Sequence, residues 1–197
     1  AVDIARERGE VHGTVACDSA MQRGVTRSEL EHAYSEMAYY PHVTQARSAV
    51  DLADPGAESV GETLTRLLVI EAGIGEPQTQ FAVRTSRGVA WCDLRIGRHI
   101  VEFDGKVKFL RADQGGVADR PIEDVLWDER TRQTEVCSCG LGMSRVVWED
   151  LWGERRMRTI RRIQQENAVT VAQFGSTLSE EMIAFDRQMR ARRVRGA

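Results

Sequence analysis

The chain has 197 residues, 42% of them hydrophobic and 6% aromatic, with a formal net charge of −3. That is enough apolar material for a sizeable globular core. No apolar run approaches the ~20 residues that span a bilayer, and no basic-then-apolar leader opens the chain, so a cytoplasmic protein without a membrane partner is expected. Charge is uneven. Residues 154–197 hold ten arginines against five acidic residues, a net +5, which leaves −8 on residues 1–153. An arginine-only basic stretch on an acidic body points to an anionic partner such as nucleic acid, or simply to solvated amphipathic helices. The four cysteines (Cys17, Cys92, Cys137, Cys139) lack the paired spacing of a zinc site and read as reduced thiols.

In chain order, residues 1–53 read as helical. Val2, Ile4 and Ala5 already carry a helical pattern at Ala1, which predicts a segment upstream. Val11 to Arg23 ends at Gly24, a good C-terminal cap. Thr26-Arg-Ser-Glu29 is a capping box opening a helix with Leu30, Ala33, Tyr34 and Met37 on one face. Pro41 can start a further helix through Ala53. Asp54-Pro55-Gly56 breaks the chain before a stronger helix, Ala57 to Ala72, with Val60, Leu64, Leu67 and Leu68 as its buried stripe.

The period then changes to alternation. Thr79 to Arg84 reads as a strand and Ser86-Arg-Gly88 as a turn. Next comes a hairpin, Gly88 to Ile96 and His99 to Gly105, around Gly97-Arg98, a loop suited to a type II′ turn. That loop pairs Ile96 with His99, Asp93 with Glu102 and Trp91 with Asp104. One face then carries Trp91, Asp93, Arg95, Ile100, Glu102 and Asp104, and the other Cys92, Leu94, Val101 and Phe103. Residues 105–120 read as a loop, Pro121 to Cys139 as a helix, Met143 to Trp148 as a strand, and Glu149 to Gln165 as a helix. Thr177-Leu-Ser-Glu180 caps a last helix through Arg193. The expected architecture is an α/β sandwich in the order α-β-β-β-α-β-α, with a helical lead-in (1–54), an α/β domain (55–153) and a basic helical tail (154–197).

Directly opposed carboxylates repel at about 5 Å, so the acidic face needs a cation. It is either a divalent metal or Arg95 and nearby lysines. Glu62 has an ordinary alternative as the i,i+4 partner of Arg66. Asp93 has less of one, because Asp is disfavoured inside strands. His99 points to the apolar face and reads as structural. Trp127 and Trp148 are expected in the core, and Cys137 and Cys139 at a helix end.

Ser59-Val-Gly-Glu62, Trp91-Cys-Asp93 and Val101-Glu-Phe-Asp-Gly-Lys106, in that order, resemble the PD-(D/E)XK nuclease superfamily. The resemblance is to its very-short-patch-repair-like branch, as found in actinobacterial AbiEi-type antitoxins of abortive-infection systems. Trp127-Asp-Glu-Arg-Thr-Arg132 and Arg145-Val-Val-Trp148-Glu-Asp-Leu151 are similar to the end of that domain, so the likeness covers about residues 55–153. It implies a restriction-endonuclease-like sandwich acting on DNA with Mg²⁺ or Mn²⁺. Asp93, Glu102 and Asp104 would be the ligands, and Glu62 an outer or water-mediated one. Lys106 would orient the attacking water or neutralise the leaving oxyanion, and Lys108, Arg132 and Gln133 would reach the nucleic acid. With the tail arginines Arg190, Arg192 and Arg193, these make the candidate site. The superfamily's Glu-x-Lys is here Glu102-Phe-Asp104, and the branch's His after Asp-Gly is absent. Two functions follow: a metal-dependent DNA endonuclease, or a catalytically inactive antitoxin or transcriptional regulator with a cognate toxin as possible partner. The antitoxin resemblance would also place a winged helix upstream.

Overall fold

The computed structural model describes residues 1–105 and 122–196. Contacts divide the chain into two compact units, Ala1–Leu67 and Leu68–Ala197. The division falls inside the helix expected to open the α/β domain, and the stretch expected as a tail lies within the second unit. Among the described residues no helix is long and apolar enough to cross a membrane.

The first unit holds α1 (Val2–Arg8), α2 (Glu10–Gln22), α3 (Arg27–Ser35), α4 (Val43–Asp51) and the start of α5 (Val60–Ala72). Its core is made mainly of small residues: Ala5, Cys17, Ala46, Ala49, Val50 and Ala53 with Val2 and Leu30. Small side chains let helices approach closely. A Cβ added to Gly13 would lie 2.3 Å from that of Ala5. The expected capping box is present, with Glu29 N–H donating to Thr26 Oγ1 at 3.2 Å and Thr26 N–H donating to the Glu29 carboxylate at 2.7 Å. Arg66 is the residue expected to pair with Glu62. It is buried and donates to Asp18 at 3.0 Å and to the Leu52 carbonyl at 2.6 Å.

The second unit is mixed α/β. Its four strands, β1 (Gln78–Thr85), β2 (Gly88–Ile96), β3 (His99–Phe103) and β4 (Gly142–Val146), lie in the order β1-β2-β3-β4. The first three are antiparallel in sequence and β4 runs parallel to β3. From α5 through α6 (Ile122–Ser138) to α7 (Gly153–Phe174) the order is the expected α-β-β-β-α-β-α, and α8 (Glu180–Gly196) follows. The helix expected at Glu149 is preceded by a 3₁₀ turn, Trp148–Leu151, and runs on to Phe174.

The Gly97-Arg98 loop sets the expected register: Ile96↔His99, Arg95↔Ile100, Leu94↔Val101. Gly97 has φ 56°, and a Cβ there would lie 2.8 Å from the Ser176 carbonyl, so both backbone angle and space require glycine. The regular ladder stops at Leu94↔Val101, short of the expected pairs Asp93↔Glu102 and Trp91↔Asp104. Where Cys92 would pair with Phe103, the Phe103 N–H donates instead to the Asp93 carboxylate at 2.8 Å.

Beyond that point Cys92 shares a cluster with Ile100, Val136 and Leu141, whereas Leu94 sits opposite Val101. The side chains of β2 therefore change face at Asp93, and the strict alternation expected from the sequence is interrupted there. On β1 the matching level, between Thr79↔Leu94 and Phe81↔Cys92, is Gln80 with φ 51°, a rare angle for a residue other than glycine.

The outer edge of β1 is covered by α8. Asp186 accepts the Ala82 N–H at 2.9 Å, and Arg190 donates to the Gln80 carbonyl at 3.0 Å and to that of Thr79. An edge strand closed this way cannot template pairing with another chain.

Candidate carboxylate–guanidinium centre

Glu102 lies on β3 with only 7% of its side chain exposed. A carboxylate at that depth keeps its charge only if paired and hydrogen-bonded. Arg132, from α6, supplies both. Its two terminal nitrogens donate to the two Glu102 oxygens at 2.8 and 3.1 Å, the planar fork that guanidinium and carboxylate favour. The same guanidinium donates to the Trp91 carbonyl at 2.5 Å and to Glu129 at 3.2 Å.

Arg145 comes from β4, where the parallel register sets it beside Glu102. It lies 3.9 Å from Glu102, 3.3 Å from Asp104 and 2.6 Å from Glu129. Among the described residues its Nε has no hydrogen-bond partner. Three carboxylates and two guanidiniums are thus interlaced where β2 and β3 part.

The charges leave their mark. Burial works against ionisation of Arg132, but the charge and hydrogen bonds of Glu102 outweigh it and hold the guanidinium above its ordinary range. Burial, and then Glu102, push the Cys92 and Cys137 thiols up, so neither is an activated nucleophile. A cleft of about 530 Å³ adjoins the centre, lined in part by Trp91, Arg132, Glu129 and Arg87.

The expected site residues are distributed as follows. Glu102 and Asp104 share Arg145, while Asp93 bonds the Phe103 backbone. Arg132 is at the centre, as the ion-pair partner of Glu102, with Gln133 half-buried beside it on α6. Glu62 belongs to the first unit, where its carboxylate accepts from Glu58 N–H and Ser59 Oγ at 2.8 Å each and closes the start of α5. Lys106 and Lys108 lie outside the described residues. Arg190 holds α8 to β1. Arg193 donates to Gln80 at 3.1 Å and stacks 4.7 Å over the Trp91 ring, and Arg192 is exposed.

Trp127 and Trp148, both expected in the core, are 71% and 37% exposed, with Trp148 meeting Phe103 edge-on at 5.0 Å. Sequence reasoning missed Glu129 and Arg145 as members of the centre. Glu129 carries a local signal, its i,i+3 spacing to Arg132. Arg145 carries none, because its position depends on a strand some forty residues away.

Mg²⁺ and Mn²⁺ take oxygen ligands in a near-octahedral shell. Here both Glu102 oxygens are forked, Asp104 and Glu129 are bonded by Arg145, and Asp93 accepts a backbone N–H. Among the described residues no three His, Cys, Asp or Glu side chains are placed to hold a metal ion. The donor set, so arranged, does not fit a divalent cation.

On the other face of β3, His99 is buried, with Nδ1 2.8 Å from Thr170 Oγ1 and Nε2 2.8 Å from Ser144 Oγ. The Ser144 hydroxyl in turn donates to the Glu166 carboxylate. Burial lowers the His99 pKa to about 4, against an opposing pull from Glu166. The ring packs as a neutral part of the core.

The chain is 30% identical, over 103 residues, to two uncharacterized proteins from two strains of Mycobacterium tuberculosis, CDC 1551 / Oshkosh and H37Rv. The matched stretch covers 49% of this chain and 38% of each relative. No family model matches the chain, and no solved structure matches it.

Proposed function

We propose that this chain is a restriction-endonuclease-like sandwich whose role is binding: a catalytically silent antitoxin or transcriptional regulator, with DNA and a cognate toxin protein as partners. The strand and helix order and the acids gathered on neighbouring strands support the nuclease-like reading of the fold. The observation that carries the silent reading is the Arg132 fork on Glu102. A carboxylate forked by a guanidinium already has its charge compensated, and a metal ion would have to approach it against that fixed positive charge.

The experiment incubates the full chain with labelled duplex and plasmid DNA, with Mg²⁺ or Mn²⁺, beside an Asp93→Ala variant. Retarded but uncut DNA at every metal concentration is expected. The metal-dependent endonuclease remains the second reading, favoured by one feature: Asp93 and Glu102 approach from adjacent strands where the hairpin parts. Cleavage that disappears with Asp93→Ala establishes that alternative.

A further inference from the structure

We infer that Arg132 is the resident cation of this centre, and that it makes the centre refractory to divalent metal. The inference rests on reading Glu102 as the counterpart of a nuclease metal ligand, and deepens that reading by naming what occupies the ligand. Three features separate Arg132 from a loose surface ion pair. Its fork takes both oxygens of a carboxylate that is 7% exposed. Its second terminal nitrogen is also fixed by the Trp91 carbonyl, on the strand that has parted from β3. Finally, Glu129, one helical turn away, braces it from its own helix at 3.2 Å.

A metal ion entering here must displace all of these contacts and remain close to Arg145, 3.9 Å from Glu102. Like-charge proximity adds to the barrier. Removing the Arg132 charge changes the balance. Glu102, Asp104 and Glu129 would then face Arg145 alone, and two uncompensated carboxylates would attract a hard cation.

The test is calorimetric titration of Mn²⁺ into the wild-type chain, Glu102→Gln, Arg132→Met, and the double variant Arg132→Met with Glu102→Gln. No Glu102-dependent binding is expected in the wild type. Arg132→Met should gain a single Mn²⁺ site, at least about tenfold tighter than any wild-type binding, and the double variant should lose it. Arg132→Lys is run beside these in case the Met variant does not fold. A lysine keeps the charge but cannot fork, so it should open the site partially.

Wild-type Mn²⁺ binding abolished by Glu102→Gln overturns the inference. Folded Arg132 variants that bind Mn²⁺ no better than wild type also overturn it. The functional reading fails separately. Wild-type cleavage of DNA with a titration silent at Glu102 would sink the binding role and leave Arg132 as inferred. Glu102-dependent Mn²⁺ binding without cleavage would do the reverse.

Discussion

β3 buries a polar side chain on each of its faces, and the two are stabilised in opposite ways. His99 packs against hydroxyl groups, Thr170 and Ser144, and stays neutral. Glu102 packs against guanidiniums, Arg132 and Arg145, and is matched by their positive charge. A hydroxyl can donate or accept: Ser144, whose proton goes to Glu166, accepts from Nε2–H, and Thr170 can donate to an unprotonated Nδ1, so the ring is satisfied without a charge of its own. A guanidinium only donates, and it fixes its partner as an anion.

The solutions also differ in reach. The His99 ring is sealed at 1% exposure, while the arginine side chains around Glu102 are 30% and 27% exposed. One face of the strand is structural, and the other keeps its counter-ions within reach of solvent and partners.

The sharpest way to break this contrast is to remove one counter-ion. Arg132→Met strands Glu102 against the core, and breaking a buried pair from one side costs roughly 3–5 kcal/mol. The partial exposure of Arg132 puts the expected loss at the lower end, about 3 kcal/mol, read from urea denaturation. Glu102→Gln with Arg132→Met should recover much of that loss, because no charge is then left unpaired. Equal losses in the single and double variants would show that the pair is not coupled.

The neutral face has its own signature in pH. The unfolded His99 ring binds a proton below about pH 6.5, while the folded ring refuses it until about pH 4. Between those values the unfolded state binds more protons, so stability falls as pH is lowered from 6.5 to 4. The loss is complete below the folded pKa and amounts to about 3 kcal/mol at most. Denaturation at several pH values, for wild type and His99→Gln, isolates the contribution. Parallel pH profiles for the two proteins would mean that the ring titrates normally and that the faces do not differ as described.

Much of this was legible locally. The Gly97-Arg98 loop specified the hairpin register, and alternation identified the strands, because both depend on residues adjacent in the chain. The loss of alternation at Asp93 was not legible as a change of face. It depends on a side chain replacing a backbone acceptor for Phe103 N–H, although an Asp inside a strand was a hint. Arg145 beside Glu102 requires the parallel pairing of β3 with β4, which leaves no local trace.

Asp93→Ala tests whether the parted hairpin belongs to the charged face alone. Losing one hydrogen bond from a backbone N–H to a carboxylate should lower stability by about 1–2 kcal/mol. The His99-dependent pH profile should be unchanged. A change in that profile would couple the two faces of β3 through the hairpin.

The smallest expected effect lies on α8, where the distinction between charges that build the fold and charges that face outward recurs within a few residues. Asp186 and Arg190 are an i,i+4 pair, yet they also cap the edge of a strand more than a hundred residues earlier. A combined replacement of Arg190, Arg192 and Arg193 would therefore mix α8 detachment with any loss of ligand contacts. Arg192→Ala alone is clean: the side chain is exposed, and stability should change by no more than about 0.5 kcal/mol. If Arg192 neutralises a DNA phosphate, the slope of log affinity against log salt should shrink by about 0.9. An unchanged slope with unchanged stability would remove Arg192 from the nucleic-acid surface and leave the basic character of α8 to its role in holding β1.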